Sequence, residues 1–326
     1  MYKSALDHEE WDRFVAKCGC SYRCLFKAHW LSNSSRSILF SIKRFDIVLK
    51  EGPTEIKIGQ FAIIMTKDTR IFTDQLQLLP SWGHMWATIM RAILAILGPG
   101  RYRYGSEWMT GPCRVEALKG TPDVKVSNIK YAKLEVVDFS CWTSWNEYWG
   151  SISKNVIRSY NKYVRECDSQ GLMILDIRRF WKYHVEIINL KSLTLISKGV
   201  ASSKVKIFVK SVLRYIALAN HLKFVICVAP SGRLDSFAAC VSIGINTYYM
   251  EGGSFKSKRG SGWFTLVNAI RQAYHGSNGT GLFIMGPVDD ATSGSPRWLG
   301  LEQSRQQCRI VQRAVSTIDF EFRYSE

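Results

Sequence analysis

The sequence predicts a mixed α/β chain of the α+β kind, built as two tandem units, each a mixed sheet flanked by helices. Three observations predict it. At 326 residues the chain has the length of roughly two domains. Apolar residues make up 46% of it, enough to fill a core in each. A run of strand, strand, strand, helix and strand can be read once in each half. The helices of that run overlay at an offset of 177, with Trp86 to Ile93 facing Trp263 to Ile270. Phe61-Ala62 falls over Phe237-Ala238 near the same offset. The units are placed at residues 1–140 and 141–326.

The elements follow from local pattern. Glu9 to Cys18 reads as a helix with Trp11, Phe14 and Val15 on one face. Ser37 to Leu49 and Glu55 to Met65 are rich in β-branched and aromatic residues, joined at Glu51-Gly52-Pro53 as a hairpin. Arg70 to Leu79 reads as a third strand, ended by Pro80. Trp82 to Leu97 reads as a helix closed by Gly98-Pro99-Gly100, and Arg101 to Trp108 as the next strand. The middle of the chain reads as helical. Ser144 to Cys167 carries Trp145, Trp149, Ile152, Val156, Tyr160 and Tyr163 at spacings of three and four. A strand at Leu172 to Ile177 follows, then helices at Phe180 to Lys198 and Ser203 to His221. The last of these carries Val205, Phe208, Val209, Val212, Tyr215, Ile216 and Ala219 as its expected apolar stripe. Phe224 to Ala229, Ser236 to Ile243 and Asn246 to Met250 read as strands. Trp263 to His275 reads as a helix, and Gly281 to Met285 as the strand after it.

Composition excludes a disordered chain, a collagen and a coiled coil. Charge points to an anionic partner. Lys and Arg number 44 against 27 Asp and Glu, a net of +17. Residues 151–230 hold 14 basic and only 4 acidic side chains, so the helical middle carries over half of the surplus. The N-terminus shows no secretory signal pattern, and the apolar run from Trp86 to Leu97 is short for a membrane span and broken by Arg91. The expectation is a soluble cytoplasmic protein, with peripheral contact at the inner membrane face in keeping with the charge. Nine cysteines, an odd number, fit reduced thiols. Cys18, Cys20 and Cys24 cluster near His29 but lack the paired spacing of a metal site, so no metal is expected.

The most suggestive stretch for chemistry runs from Tyr248 to Trp263. A strand ends, a glycine-rich loop with Lys256, Lys258 and Arg259 follows, and a helix starts near Gly262. Free N–H groups at a helix N-terminus attract anions, and glycine permits close approach. A phosphate or pyrophosphate fits there, although neither a Walker loop nor a dinucleotide fingerprint is present.

With these residues in view, the chain resembles the FemAB-like proteins, GNAT-fold acyltransferases that often carry two tandem GNAT units. The resemblance rests on the basic helix from Ser153 to Arg165 with Gly171 after it, then Tyr249 to Gly252, Gly260-Ser261-Gly262 opening a helix, Ile284 to Gly286, and Arg297-Trp298. It covers roughly residues 140–300 and reaches the first unit only by architecture. It implies direct transfer of an acyl group from a thioester, or of an aminoacyl group from tRNA, to an amine. The donor is a co-substrate, coenzyme A or acyl carrier protein, and no tightly bound cofactor is implied. The acceptor is an amine of a sugar, amino acid or cell-envelope precursor. Lys256, Lys258, Arg259, Gly260, Ser261 and Gly262 match the place where family members meet the donor's phosphates. Glu251 becomes the candidate general base and Tyr249 the candidate donor to the oxyanion or leaving thiolate, with a salt bridge and a packed strand tyrosine as their plain alternatives. Arg158, Asn161, Arg297 and Trp298 become candidate acceptor contacts. Pro287 to Pro296, with Asp289 and Asp290, is longer than usual for the family and reads as a specificity loop or as a disordered one. The coiled-coil arm of some tRNA-dependent members is not visible, so the leading reading is thioester-dependent. Two alternatives stand beside it: a tRNA-dependent transferase acting on a peptidoglycan precursor, and a non-catalytic nucleic-acid-binding protein stacking bases on Trp145, Trp149, Tyr160 and Tyr163.

Overall fold

The computed structural model describes residues 2–3, 7–31, 42–166, 172–176, 182–197, 204–229, 231–255, 260–289 and 303–324. The chain divides into two compact units, residues 1–134 with 313–326, and residues 135–312. The first boundary falls six residues before the expected one. The last fourteen residues, expected in the second unit, belong to the first. The reason is pairing: the C-terminal strand lies antiparallel to a strand of the first unit, with Ile318 opposite Tyr104 and Phe320 opposite Tyr102.

The first unit opens with β1 (Tyr2–Lys3) and α1 (His8–Lys17). Asp7 caps α1 by accepting the N–H groups of Glu9 and Glu10, and the helix buries Trp11, Phe14 and Val15. A short helix α2 (Ala28–Leu31) comes next. Then come β2 (Ile42–Glu51), β3 (Thr54–Met65), β4 (Thr69–Phe72), β5 (Gln77–Leu78), α3 (Trp86–Leu97), β6 (Gly100–Tyr104) and α4 (Val115–Lys119). Strand β7 (Val124–Asp138) spans the boundary. Of the strand expected from Ser37, residues 37–41 lie outside the described residues. The single strand expected from Arg70 to Leu79 is two, β4 and β5. Between them the chain turns aside around the fully buried Asp74, which accepts the hydroxyls of Ser21 (2.5 Å) and Ser106.

The second unit holds α5 (Trp145–Ser151), α6 (Lys154–Glu166), β8 (Leu172–Asp176), α7 (His184–Ser197), α8 (Lys204–Ala217), β9 (Leu222–Val228), β10 (Leu234–Ile243), β11 (Asn246–Ser254), α9 (Ser261–Gly276) and β12 (Leu282–Asp289). The final strand, β13 (Val311–Phe322), is the one that returns to the first unit.

The duplication read from the sequence is a duplication of topology. In the first unit β2, β3 and β4 pair antiparallel in succession, α3 follows, and β6 then pairs parallel with β4. In the second unit β9, β10 and β11 pair antiparallel, α9 follows, and β12 pairs parallel with β11. The helix is required by geometry, because parallel neighbours cannot be joined by a tight turn. Each helix packs its apolar face on its own sheet: Trp86, Met90, Ile93 and Leu94 against Phe61, Phe72 and Tyr102, and Val267, Ile270 and Tyr274 against Ala238, Cys240 and Phe283.

Helix α8 departs from expectation. Its buried positions are Ile207, Ser211 and Tyr215, with Leu218 just beyond, while Val205, Phe208, Val209 and Ile216 of the expected stripe are exposed. Two polar contacts set this rotation. Ser211 accepts from Lys191 at 2.7 Å, and Tyr215 donates to Glu251.

Candidate active site

Strands β11 and β12 pair only at Thr247 with Phe283 and Tyr248 with Ile284. Beyond that point both run on, β11 to Ser254 with β10 still beside it and β12 to Asp289. The two parallel strands therefore part, and the edge of β11 from Tyr249 onward is released from β12. Backbone N–H groups along such an edge are donors for a developing oxyanion.

A bulge shapes this edge. Ala239 pairs with Glu251 and Cys240 with Tyr249, so Met250 is the extra residue. Directly opposed residues share a face, and neighbours on β10 face opposite ways. The bulge thus sends Tyr249 and Glu251 to opposite faces of the sheet. The structure does not bring these two candidate catalytic groups together. Tyr249 packs with the α9 side of the core, its ring 6.2 Å from Phe283. Burial pushes its phenol pKa well up, so at neutral pH it keeps its proton and can donate it in a hydrogen bond. Its hydroxyl leaves no room at Gly252, where an added Cβ would lie 2.0 Å from it.

Glu251 faces α7 and α8. Its carboxylate takes Lys191 at 2.5 Å, Arg214 at 3.3 Å and the Tyr215 hydroxyl. Burial draws the Lys191 pKa down against the opposing pull of Glu251, and burial followed by the Glu251 charge drives the Tyr215 phenol up. Lys191 and Arg214 share Oε2 and the Tyr215 hydroxyl meets Oε1, so three of the carboxylate's roughly four acceptor sites are taken by protein donors. Lys191, Arg214 and the bulge were not singled out by the sequence, and Tyr215 was read there only as part of an apolar stripe; the clustering of cations in the middle segment was the signal for the two basic residues.

Helix α9 begins just past the end of β11. Its cap, Gly260, has a left-handed φ of 93°, and a Cβ there would come 2.5 Å from the Ser159 carbonyl of α6. Only glycine fits both demands. Gly262 packs on Ser254, and Ser261 and Thr265 are tied to Ser236 of β10. The first turn of α9 is therefore fixed on the sheet, and a helix N-terminus of this kind is the sort of end that attracts anions. Lys256, Lys258 and Arg259, in the loop leading to it, lie outside the described residues, as do Arg297, Trp298 and most of the Pro287–Pro296 segment. Arg158 and Asn161 sit exposed on α6, on either side of the Ser159 that meets Gly260.

A second buried ion pair lies in the same unit. Arg305 donates to Glu135 at 2.7 Å and to the Gly286 carbonyl of β12 at 3.4 Å, so it braces β12 beyond the parting. Neither residue carries a local motif. The rings proposed for base stacking are engaged within the protein: Trp149 with Tyr160 at 5.1 Å, and Tyr163 with Phe264 of α9 at 5.2 Å. Tyr163 is buried and donates to Asp235 at 3.0 Å. As a stacking platform these rings are corrected to core packing. Contact with Cys18 and then burial push the Cys20 thiol up against the opposing pull of Cys24, and burial followed by the contact with Cys20 pushes the Cys24 thiol up, both away from the thiolate that a metal needs. Among the described residues no group of His, Cys, Asp or Glu is placed to hold a metal ion.

The fold matches solved structures over nearly the whole chain. FemX superposes with a TM-score of 0.68 at 11% identity, covering 97% of each chain. The L-PGS of Bacillus licheniformis does so at 0.55 and 10%, covering 98% of this chain and 93% of that one. A chain described as the C-terminal domain of a lysylphosphatidylglycerol synthetase from Agrobacterium fabrum gives 0.55 and 9%, covering 96% and 92%. No family model matches the sequence, and no curated protein matches it. The chain has the fold of FemX, and the mixed α/β architecture expected from the sequence is the one observed.

Proposed function

We propose that this chain, which has the fold of FemX, is an acyltransferase whose second unit moves an acyl group from a thioester of coenzyme A or an acyl carrier protein to an amine. The observation that carries the reading is the parting of β11 from β12 beside the fixed N-terminus of α9. The donor's phosphates would sit at that helix end, and its thioester carbonyl would lie in the opening. The amine nitrogen attacks the carbonyl carbon, the C–S bond breaks, and the proton lost by nitrogen ends on the departing sulfur. Released N–H groups of β11 stabilise the oxyanion, and the protonated Tyr249 donates a hydrogen bond to the oxyanion or the departing sulfur. An acidic carrier protein suits the basic middle segment. The acceptor is an amine of a sugar, amino acid or envelope precursor.

A second reading, transfer from aminoacyl-tRNA, is favoured by the fold shared with FemX and with proteins named for lysylphosphatidylglycerol synthesis. Thermal shift with acetyl-coenzyme A, acyl carrier protein and charged tRNA separates the two. A donor at a hundredfold its Kd stabilises by about 2.7 kcal/mol. Stabilisation by a thioester supports the first reading, and stabilisation by charged tRNA alone replaces it with the second. With no shift from any donor, the transferase reading fails.

A further inference from the structure

Helix α8 turns its more apolar face outward. Val205 is 69% exposed, Leu213 and Ile216 are each 55%, and Val209 and Phe208 are 47% and 42%. At 100° per residue these five lie in one continuous stripe, since they recur at spacings of three and four. The opposite face, carrying Ile207, Ser211 and Tyr215, is buried and tied down by Lys191 and Glu251. The rotation is therefore held by specific contacts, and the apolar stripe is left exposed among the described residues of the second unit. Lys204 and Lys210 are exposed on the same helix. The surrounding segment, residues 151–230, carries 14 basic against 4 acidic side chains.

Apolar residues on one exposed helix face, with cations beside them, are the chemistry of a helix lying in the surface of an anionic bilayer. Charge decides between occupants. A second copy of the chain meeting this face across a two-fold axis would bring the lysines of one copy, Lys204 and Lys210, close to those of the other, which is repulsive. An anionic lipid surface pairs with the same lysines and receives the stripe. No helix among the described residues is long and apolar enough to cross a membrane, so the contact is one of lying on the surface.

We propose that α8 docks the protein on anionic lipid bilayers through Val205, Phe208, Val209, Leu213 and Ile216. This inference does not rest on the transferase reading, and its test needs no donor. The full chain is floated with phosphatidylcholine vesicles and with mixed phosphatidylcholine–phosphatidylglycerol vesicles. It should partition onto the mixed vesicles and weaken as salt rises. The Val209→Asp, Leu213→Asp double variant, altered only at exposed positions, should keep its thermal midpoint and lose roughly tenfold or more of the binding. Lys204→Gln and Lys210→Gln should each cost about fivefold. Failure of the wild type to float with the mixed vesicles overturns the proposal, as does flotation that the double variant leaves unchanged. Sedimentation velocity closes the remaining route: a dimer that the double variant dissociates would assign the stripe to a second copy instead.

Discussion

Asp74 and Glu251 stand 177 residues apart, the offset that relates the two units, Asp74 just past the end of β4 and Glu251 within β11 beyond its pairing with β12. Both are buried or nearly so, and both are held by protein donors: hydroxyls for Asp74, two cations and a phenol for Glu251. Glu251→Gln therefore leaves Lys191 and Arg214 without their counter-charge. It should lower stability by about 3 kcal/mol, read as a shift of the urea midpoint. Loss of activity with an unmoved midpoint would make Glu251 a catalytic group rather than a positioning one. His29 supplies a pH prediction. Burial, then Arg44, holds its pKa down to about 3 against an unfolded value of 6.5. Between those values the unfolded chain binds a proton that the folded one refuses. Stability from this group is full above pH 6.5 and falls as pH drops toward 3. His29→Gln should flatten that limb of the stability–pH curve, and an unchanged slope would clear His29 of the effect. At this scale Glu251 and Tyr249 were reached through the resemblance, whose strand end falls on Tyr249 to Gly252. It could not supply Arg214 and Tyr215, which meet Glu251 across 37 and 36 residues.

The parting of β11 and β12 and the fixed start of α9 belong to elements. Gly260→Ala forces a β-carbon into a left-handed residue and against the Ser159 carbonyl. It should cost at least about 2 kcal/mol in thermal or urea unfolding. An unperturbed variant would mean that α6 can retreat from the turn. Gly252→Ala should displace the Tyr249 ring and lower kcat with little change in KM, if Tyr249 serves the transition state. Most elements were legible from period and punctuation, α9 and β10 almost to the residue. Strands β7 and β13 were not assigned, although β13 carries a plain alternation: Ile318, Phe320 and Phe322 are buried while Asp319 and Glu321 are not. Helix α8 was recognised as a helix but assigned the wrong inward face. Apolar count argued for one side, and contacts with Lys191 and Glu251 chose the other. The bulge at Met250 has no sequence signature, and it alone separates Tyr249 from Glu251.

At the scale of the molecule, duplication was legible in the order of elements, but the path of the chain between units was not. A strand of the first unit is supplied by residues that come after the whole of the second. Ending the chain at Gln312 removes Ile318, Phe320 and Phe322 from the first core and frees Arg103 from Asp319. Hydrogen exchange should then show lost protection across β3, β4 and β6, with β9, β10 and β11 still protected. Protection kept in β6 would mean that β13 is dispensable. The same path has a consequence for synthesis. Residues 135–312 are synthesised ahead of the residues 313–326 that the first unit needs. The part translated first must therefore wait for the part translated last, and the second unit is the earlier one able to close its sheet, against the usual N-to-C order.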